Sequence, residues 1–184
     1  MAGDALSDGE LALAARAGDA GAFAELVRRH QEALYRFVVR MVGAREEALE
    51  IVQDAFVRAW QALPQWEPEA QFRTWLFRIG SNAALDALRR RRVVSFVPLE
   101  DAFEAAADEP DPERRLELKQ RVAALEASLA KLSPEHREIL LLREVENMSY
   151  EEIGAVLALS EGTVKSRLAR ARAALLEAHG GTER

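Results

Sequence analysis

Apolar residues recur at three- and four-residue spacing along most of the chain, the period of α-helices packed on one side. Phe23, Leu26, Val27, Leu34, Phe37, Val38 and Met41 form one run, which Gly43 is placed to end. Ala48, Ile51, Val52, Ala55, Phe56, Ala59 and Trp60 form a second, closed by Pro64. After a short loop from Gln65 to Gln71 comes a third: Phe72, Trp75, Leu76, Ile79, Ala83 and Leu88. Ahead of all three, Ser7 with Glu10 makes a capping-box pattern before Leu11, Leu13 and Ala14. Further along, Leu116, Val122, Leu125 and Leu129 mark another helix. Ser133-Pro134-Glu135 starts the next, with Ser as N-cap and Pro in the first turn, and its apolar face is Ile139, Leu140, Leu142 and Val145. Ser149 with Glu152 opens a short helix over Ile153 and Leu157, Ala158-Leu159-Ser160 breaks it, and a final helix runs from about Ser160 to Ala178. No β-alternating run of useful length appears, so the pattern predicts an all-α fold.

One stretch interrupts the periodicity. Residues 93–113, VVSFVPLEDAFEAAADEPDPE, hold three of the six prolines and read as a flexible acidic linker. The linker divides the chain into two small helical domains, residues 1–92 and 114–184, the first a cluster of three or four helices. Fully extended, the linker would reach roughly 70 Å. That is about 20 base pairs of duplex at ~3.4 Å per step, enough to place the two modules two helical turns apart.

The net charge of −6 argues against nucleic-acid binding only until it is partitioned. Residues 1–92 carry 13 acids and 13 bases, and residues 114–184 carry 11 acids and 12 bases. The linker has 7 acids and no base, so the acidity lies there and the modules are near neutral with basic clusters inside them. The absence of cysteine removes disulfides, thiolate metal sites and thiol nucleophiles. The scattered His30, His136 and His179 offer no metal site, and no cofactor is expected. No apolar run approaches the ~18 residues of a membrane span. The beginning lacks a basic leader and an apolar signal core, so a cytoplasmic protein without membrane insertion is expected. An enzyme is not: there is no Gly-rich phosphate loop, and adjacent carboxylates such as Glu151 and Glu152 diverge on a helix.

Residues 149–176 have the shape of a helix-turn-helix. Gly154 sits where the two helices approach, and Ile153, Leu157, Leu159, Val164 and Leu168 supply a shared core. Ser160 can cap the second helix. On that helix Val164, Leu168, Ala171 and Leu175 fall on one side, within about 60°. Ser166 lies opposite, flanked by Gly162, Ala169 and Arg170, with Lys165 and Thr163 further round and Arg167 and Arg172 at the flanks. No acid occurs from Gly162 to Leu176. Such a donor-rich face suits major-groove acceptors and the phosphates beside them.

The order of four motifs completes the picture: AFAELVRRHQEALYRFVVRM, EIVQDAFVRAWQAL, FRTWLFRIGSNAALDALRRRR and, after the acidic linker, LSPEHREILLLREVENMSYEEIGAVLALSEGTVKSRLARAR. Over residues 9 to 178 the chain resembles the extracytoplasmic-function (group IV) sigma factors of bacterial RNA polymerase. The resemblance implies sigma domain 2 for the first module and sigma domain 4 for the second. It implies promoter-specific transcription initiation in complex with core polymerase, with strand opening at the −10 element.

Roles carry over by position. Glu50–Trp60 resembles the helix that docks on the β′ clamp helices, with Glu50, Gln53, Asp54 and Arg58 turned outward. Phe72–Arg92 resembles the segment that reads and melts the −10 element. There Asn82 matches a base-reading asparagine, Phe72 and Trp75 offer aromatic surface, although Trp75 is better placed in a core, and Arg73, Arg78, Arg89, Arg90, Arg91 and Arg92 would grip phosphates. In domain 4, Lys165, Ser166, Ala169 and Arg170, with Thr163 and Arg167 beside them, correspond to the −35 readers, and Arg137 and Arg143 are further phosphate candidates. The polymerase β flap, promoter DNA and an anti-sigma factor are the implied partners. The loop Trp66–Gln71 departs from the family's usual Gly-Asp/Glu-Ser pattern and carries Pro68. Two other readings compete: a sigma-like adaptor or decoy that binds an anti-sigma factor, and a stand-alone helix-turn-helix regulator.

Overall fold

The computed structural model describes residues 6–68, 70–91 and 112–180, and among these it contains helices and no strand. The first module holds α1 (Asp8–Arg16), α2 (Ala20–Val42), α3 (Arg45–Ala62) and α4 (Phe72–Arg90), with a 3-10 turn at Leu63–Gln65. The second holds α5 (Pro112–Ala130), α6 (Pro134–Leu140), a π-helical turn at Leu141–Val145, α7 (Tyr150–Leu157) and α8 (Glu161–Gly180). The all-α expectation holds. α5 begins at Pro112, so the last two residues assigned to the linker are helical, and 92–111 lie outside the described residues.

Local chemistry sets most of the helix ends. Ser7 and Glu10 form a reciprocal capping box on α1, and Ser149 and Glu152 form another on α7. Gly43 ends α2 with φ 71°, and its N–H bonds to the Val39 carbonyl at 2.8 Å. The Ser133 hydroxyl caps α6 by accepting from His136 N–H, with Pro134 in the first turn.

The first module closes around Leu26, Leu34, Phe37, Met41, Leu63, Phe72, Leu76 and Phe77, all essentially without solvent contact. Phe37 and Phe77 stack at 5.5 Å across α2 and α4. α1 is tied to α2 electrostatically: Asp8 accepts from Arg29 at 3.0 Å and sits 2.6 Å from His30 Nε2. In the second module the periodic run over Ile139–Val145 does not remain α-helical. The widened turn lets Glu146 N–H reach the Leu141 carbonyl and Met148 N–H the Leu142 carbonyl, each at 3.0 Å. Ile139, Leu140, Leu141 and Leu142 are all buried in succession, because α2, α4 and α8 all pack against this stretch.

The two modules touch. α7 lies against α4, and α6 with its π turn lies against α2 and α4. Arg137 of α6 donates to the Met41 carbonyl at 2.6 Å, and Arg73 of α4 donates to Glu146. Sequence periodicity predicts each module's own core but has no term for this contact.

Candidate nucleic-acid interface

In the helix-turn-helix, Ala158 closes α7 in the left-handed region with φ 54°, and Ser160 Oγ accepts from Thr163 N–H at 3.3 Å to open α8. A Cβ on Gly154 would stand 2.7 Å from the Leu159 carbonyl oxygen, so only glycine allows this approach of helix to turn. Val164, Leu168 and Ala171 are buried, as their spacing predicts. Lys165, Ser166, Ala169 and Arg170 are exposed together on the opposite face, Thr163 and Arg167 are half-buried beside them, and Arg172 is exposed.

The polar groups on this face make weak local commitments. Lys165 pairs with Glu161 one turn back at 2.7 Å, which holds its ammonium pKa above the usual value. Ser166 Oγ donates to the Thr163 carbonyl at 3.0 Å, and Arg170 Nε to the Ser166 carbonyl at 3.4 Å. Arg172 is taken by Glu144 at 2.7 Å. Contacts this exposed contribute little, whether within α8 or, for Arg172, to Glu144 of the π turn, so DNA phosphates and bases can replace them at small cost.

α4 divides its residues differently. At 100° per residue, Arg78, Asn82 and Arg89 fall within about 40° of one another, and all three are exposed. Arg89 lies 3.2 Å from Asp86, and Arg90, also exposed, donates to the Asp86 carbonyl. The remaining expected contacts are not on this stripe. Phe72 does not offer its ring to an unstacked base: it is 2% exposed, in the core among Trp66, Trp75 and the His30 ring. Its apolar mass decides the matter, because the first residue of α4 turns inward where α1, α2 and the 3-10 turn converge. Arg73 stacks over Phe77 at 5.0 Å and donates to the Glu146 carboxylate at 2.9 Å and the Glu146 carbonyl at 3.0 Å. Arg91 pairs with Glu47 and donates to the Val42 carbonyl at 2.7 Å, which ties α4 to α2 and α3. Arg92 lies outside the described residues.

The two extra phosphate candidates on the second module are also committed elsewhere. Arg137 is buried and spends its guanidinium on the carbonyls of Leu129, Ala130, Leu132 and Met41, with burial lowering its pKa. It is a structural clamp and not a phosphate contact. Arg143 donates to the Met148 carbonyl at 2.7 Å and stacks over Tyr150 at 5.0 Å.

On α3, Glu50, Gln53, Asp54 and Arg58 are all exposed, as expected of a docking face. Leu49, Val57 and Trp60 are 51%, 54% and 40% exposed beside them. In the sequence the polar residues alone point to this face, and the structure adds its apolar half. Leu49, Gln53 and Val57 follow one another at helical spacing outside the buried run, and Trp60, which its spacing assigns to that run, stands at the exposed edge against Phe23. An open apolar strip within a polar rim is the usual make-up of a protein interface.

Among the described residues no group of three or more side chains could hold a metal ion, and no helix is long and apolar enough to cross a membrane. The family model for Sigma-70 region 2 matches residues 26–93, and that for Sigma-70, region 4 matches residues 123–175. The RNA polymerase sigma factor CnrH of Cupriavidus metallidurans is 41% identical over 177 residues, covering 92% of each chain. A solved structure of CnrH in complex with the cytosolic domain of CnrY matches at a TM-score of 0.70, covering 92% of this chain and 95% of that one. The ECF RNA polymerase sigma factor SigE of Mycolicibacterium smegmatis is 38% identical over 149 residues, 80% of this chain and 58% of that one. The sigma factor RpoE of Bartonella quintana, solved in complex with the anti-sigma factor NepR, matches at a TM-score of 0.66 with 25% identity, covering 85% of this chain and 95% of that one. A region 2 fold ahead of a region 4 helix-turn-helix, and relatives that share both, place the chain in the extracytoplasmic-function (group IV) family of RNA polymerase sigma factors, which direct promoter-specific transcription initiation.

Proposed function

We propose that three faces of this sigma factor divide its work. Lys165, Ser166, Ala169 and Arg170 of α8, flanked by Thr163 and Arg167, read the −35 element in the major groove. Asn82 reads an exposed base at the −10 element, with Arg78, Arg89, Arg90 and Arg73 on the adjoining phosphates. Glu50, Gln53, Asp54 and Arg58 of α3, with Leu49, Val57 and Trp60, dock on the β′ clamp helices, while the second module meets the β flap. The modules are residues 1–92 and 114–184, joined through 93–113.

The observation that carries this reading is the face of α8. Its Lys165, Ser166, Ala169 and Arg170 are exposed, it is free of acids between Gly162 and Leu176, and it is backed by a helix-turn-helix core. The chain acts by placement and catalyses no bond change itself. It works in the cytoplasm, where polymerase and promoter are, and it takes an anti-sigma factor as partner, as RpoE does with NepR.

Run-off transcription on a promoter library, by bacterial core polymerase with and without this chain, tests the reading. New start points dependent on the chain are expected, lost on Arg170→Ala and on Asn82→Ala. Asp54→Arg is expected to abolish co-purification with core polymerase at unchanged helicity. Start points that do not depend on the added chain would defeat the reading.

A further inference from the structure

The exposed arc of α3 is not uniform around the helix. At 100° per residue, Leu49, Gln53, Val57 and Trp60 lie within about 80° of one another, Glu50 and Asp54 follow, and Arg58 stands last, about 100° beyond Val57. Arg58 therefore closes the face at the edge opposite the apolar strip. That edge is turned toward α4: Glu47, about 20° from Arg58 around the helix, is taken by Arg91 of α4.

The fold brings Arg58 to the end of α4. A shallow pocket of about 350 Å³ lies between the two helices, lined by Arg58, Asp86, Arg89 and Arg90. Three guanidinium groups meet one carboxylate there, and that residue is already in use. The Asp86 carboxylate lies 3.2 Å from Arg89, and its main-chain carbonyl accepts from Arg90 Nε. Arg58 is exposed, and among the described residues its side chain has no ion pair or hydrogen bond. Cations gathered in this way repel one another, and an anion entering among them is attracted by all three. Guanidinium groups also fork onto a phosphate through two parallel hydrogen bonds.

The shape of the pocket selects the kind of anion. Sites for small molecules are enclosed and mostly apolar. This one is open to solvent and every residue that lines it is charged, which suits a polyanion lying across it. Its position selects the polyanion. Arg89 belongs to the exposed stripe of α4 that also carries Arg78 and Asn82, and Arg58 extends that stripe sideways onto α3.

We propose that Arg58 is a nucleic-acid contact: with Arg89 and Arg90 it forms a seat between α3 and α4 for a backbone phosphate of the strand that Asn82 reads. The proposal rests on the assignment of the Asn82 stripe to the −10 element, and it moves Arg58 from the polymerase-docking set to the DNA-contacting set. α3 then serves two partners from two edges. Leu49, Val57 and Trp60, with Glu50, Gln53 and Asp54, take the clamp helices, and Arg58 fastens the promoter beside them. A strand held in this seam is positioned at Asn82 by the same helix that docks the polymerase.

Holoenzyme binding to a promoter fork, duplex upstream and single-stranded through the non-template −10 element, tests the seat over a series of salt concentrations. Arg58→Ala is expected to weaken binding about five- to tenfold and to reduce the salt slope by about 0.7–0.9, the counterion release of one phosphate. The loss is expected to be equal on cognate and −10-substituted forks, and Arg58→Lys, which retains the charge, is expected to keep the slope. Replacing single phosphates of the fork by uncharged methylphosphonate identifies the partner. One linkage is expected to weaken binding by the unaltered chain and to have no effect with Arg58→Ala. If every methylphosphonate acts equally on both chains, the seat is overturned. If Arg58→Ala no longer co-purifies with core polymerase, the pocket takes a carboxylate of the clamp helices and the seat is overturned as well. Failure of the −10 assignment shows separately, as an Asn82→Ala variant that loses nothing on the cognate fork while the coupling between Arg58 and one linkage persists.

Discussion

Two basic helices carry the expected DNA contacts, and they treat their charges in opposite ways. On α8 the buried side is apolar and the long donors reach solvent: Lys165 and Arg170 bond within their own helix, and Arg172 pairs with Glu144 of the π turn. On α4 only Arg78, Asn82, Arg89 and Arg90 remain outward, while Phe72 is core, Arg73 is held by Glu146 and Arg91 is held by Glu47 and the Val42 carbonyl. The difference lies in how much of each helix is covered. α8 packs on one side of a small domain. α4 is central to the first module and carries the second module as well. A basic side chain on a central helix meets carbonyls and carboxylates of other elements before it meets DNA.

The largest expected effect separates core from surface on α4. Phe72→Ala should destabilise the protein by about 3–5 kcal/mol, as for other aromatic truncations in packed cores. Chemical denaturation measures it, and a cost near zero would return Phe72 to the DNA-reading surface. Next is Gly154→Ala, where the added methyl meets the Leu159 carbonyl oxygen. A cost of about 1–3 kcal/mol is expected, with loss of −35 binding before loss of overall helicity. Equal stability by thermal melting would mean that the turn has slack.

Arg170→Ala sets α8 against α4 directly. It should cost about 1–3 kcal/mol of discrimination between cognate and random −35 duplex, measured with holoenzyme, if Arg170 is bidentate to a base. Equal loss on both duplexes would make it a phosphate contact.

The smallest effect concerns pH. Glu138 and Glu146 have pKa values raised above the ordinary 4.5, chiefly by burial. Ser81, Arg167 and Arg89 pull Glu138 down and Glu135 pushes it up, while Arg73, Arg36 and Arg40 pull Glu146 down. Burial still prevails. A carboxyl with a raised folded-state pKa contributes stability that is full below its ordinary pKa and is lost as pH rises through the raised one. The contact of Glu138 and Glu146 with α4 should therefore strengthen on acidification from neutral pH toward the ordinary carboxylate range. Chemical denaturation at a series of pH values reads this, and stability that falls over that range would reverse the sign.

Much of this was legible in the amino-acid order because it depends on residues near one another in the chain. The capping boxes at Ser7 and Ser149, the αL end at Gly43, the N-cap at Ser133 and the outward set on α8 are local facts. They follow from which groups a turn leaves unpaired and from the 3.6-residue period. The errors have equally definite causes. Arg137 reads as a surface cation because its four carbonyl partners are brought together only by the packing of α5, α6 and α2. The Leu141–Val145 run reads as an α-helix because one inserted residue does not disturb an apolar stretch that is buried throughout. The exposed Leu49 and Val57 sit beside charged residues and Trp60 fits the period of the buried run, so none of the three reads as part of an open apolar strip.

The sequence by itself determined the helices, the order of the two modules, the helix-turn-helix and the family, since each rests on short-range periodicity or on motifs read in order. Only the tertiary structure decided which cations are available, because that depends on carbonyls and carboxylates from remote segments. It alone placed Glu138 and Glu146 against α4. A contact between residues 57 or 73 positions apart leaves no periodic trace in either helix, and it becomes visible only when both stand in space.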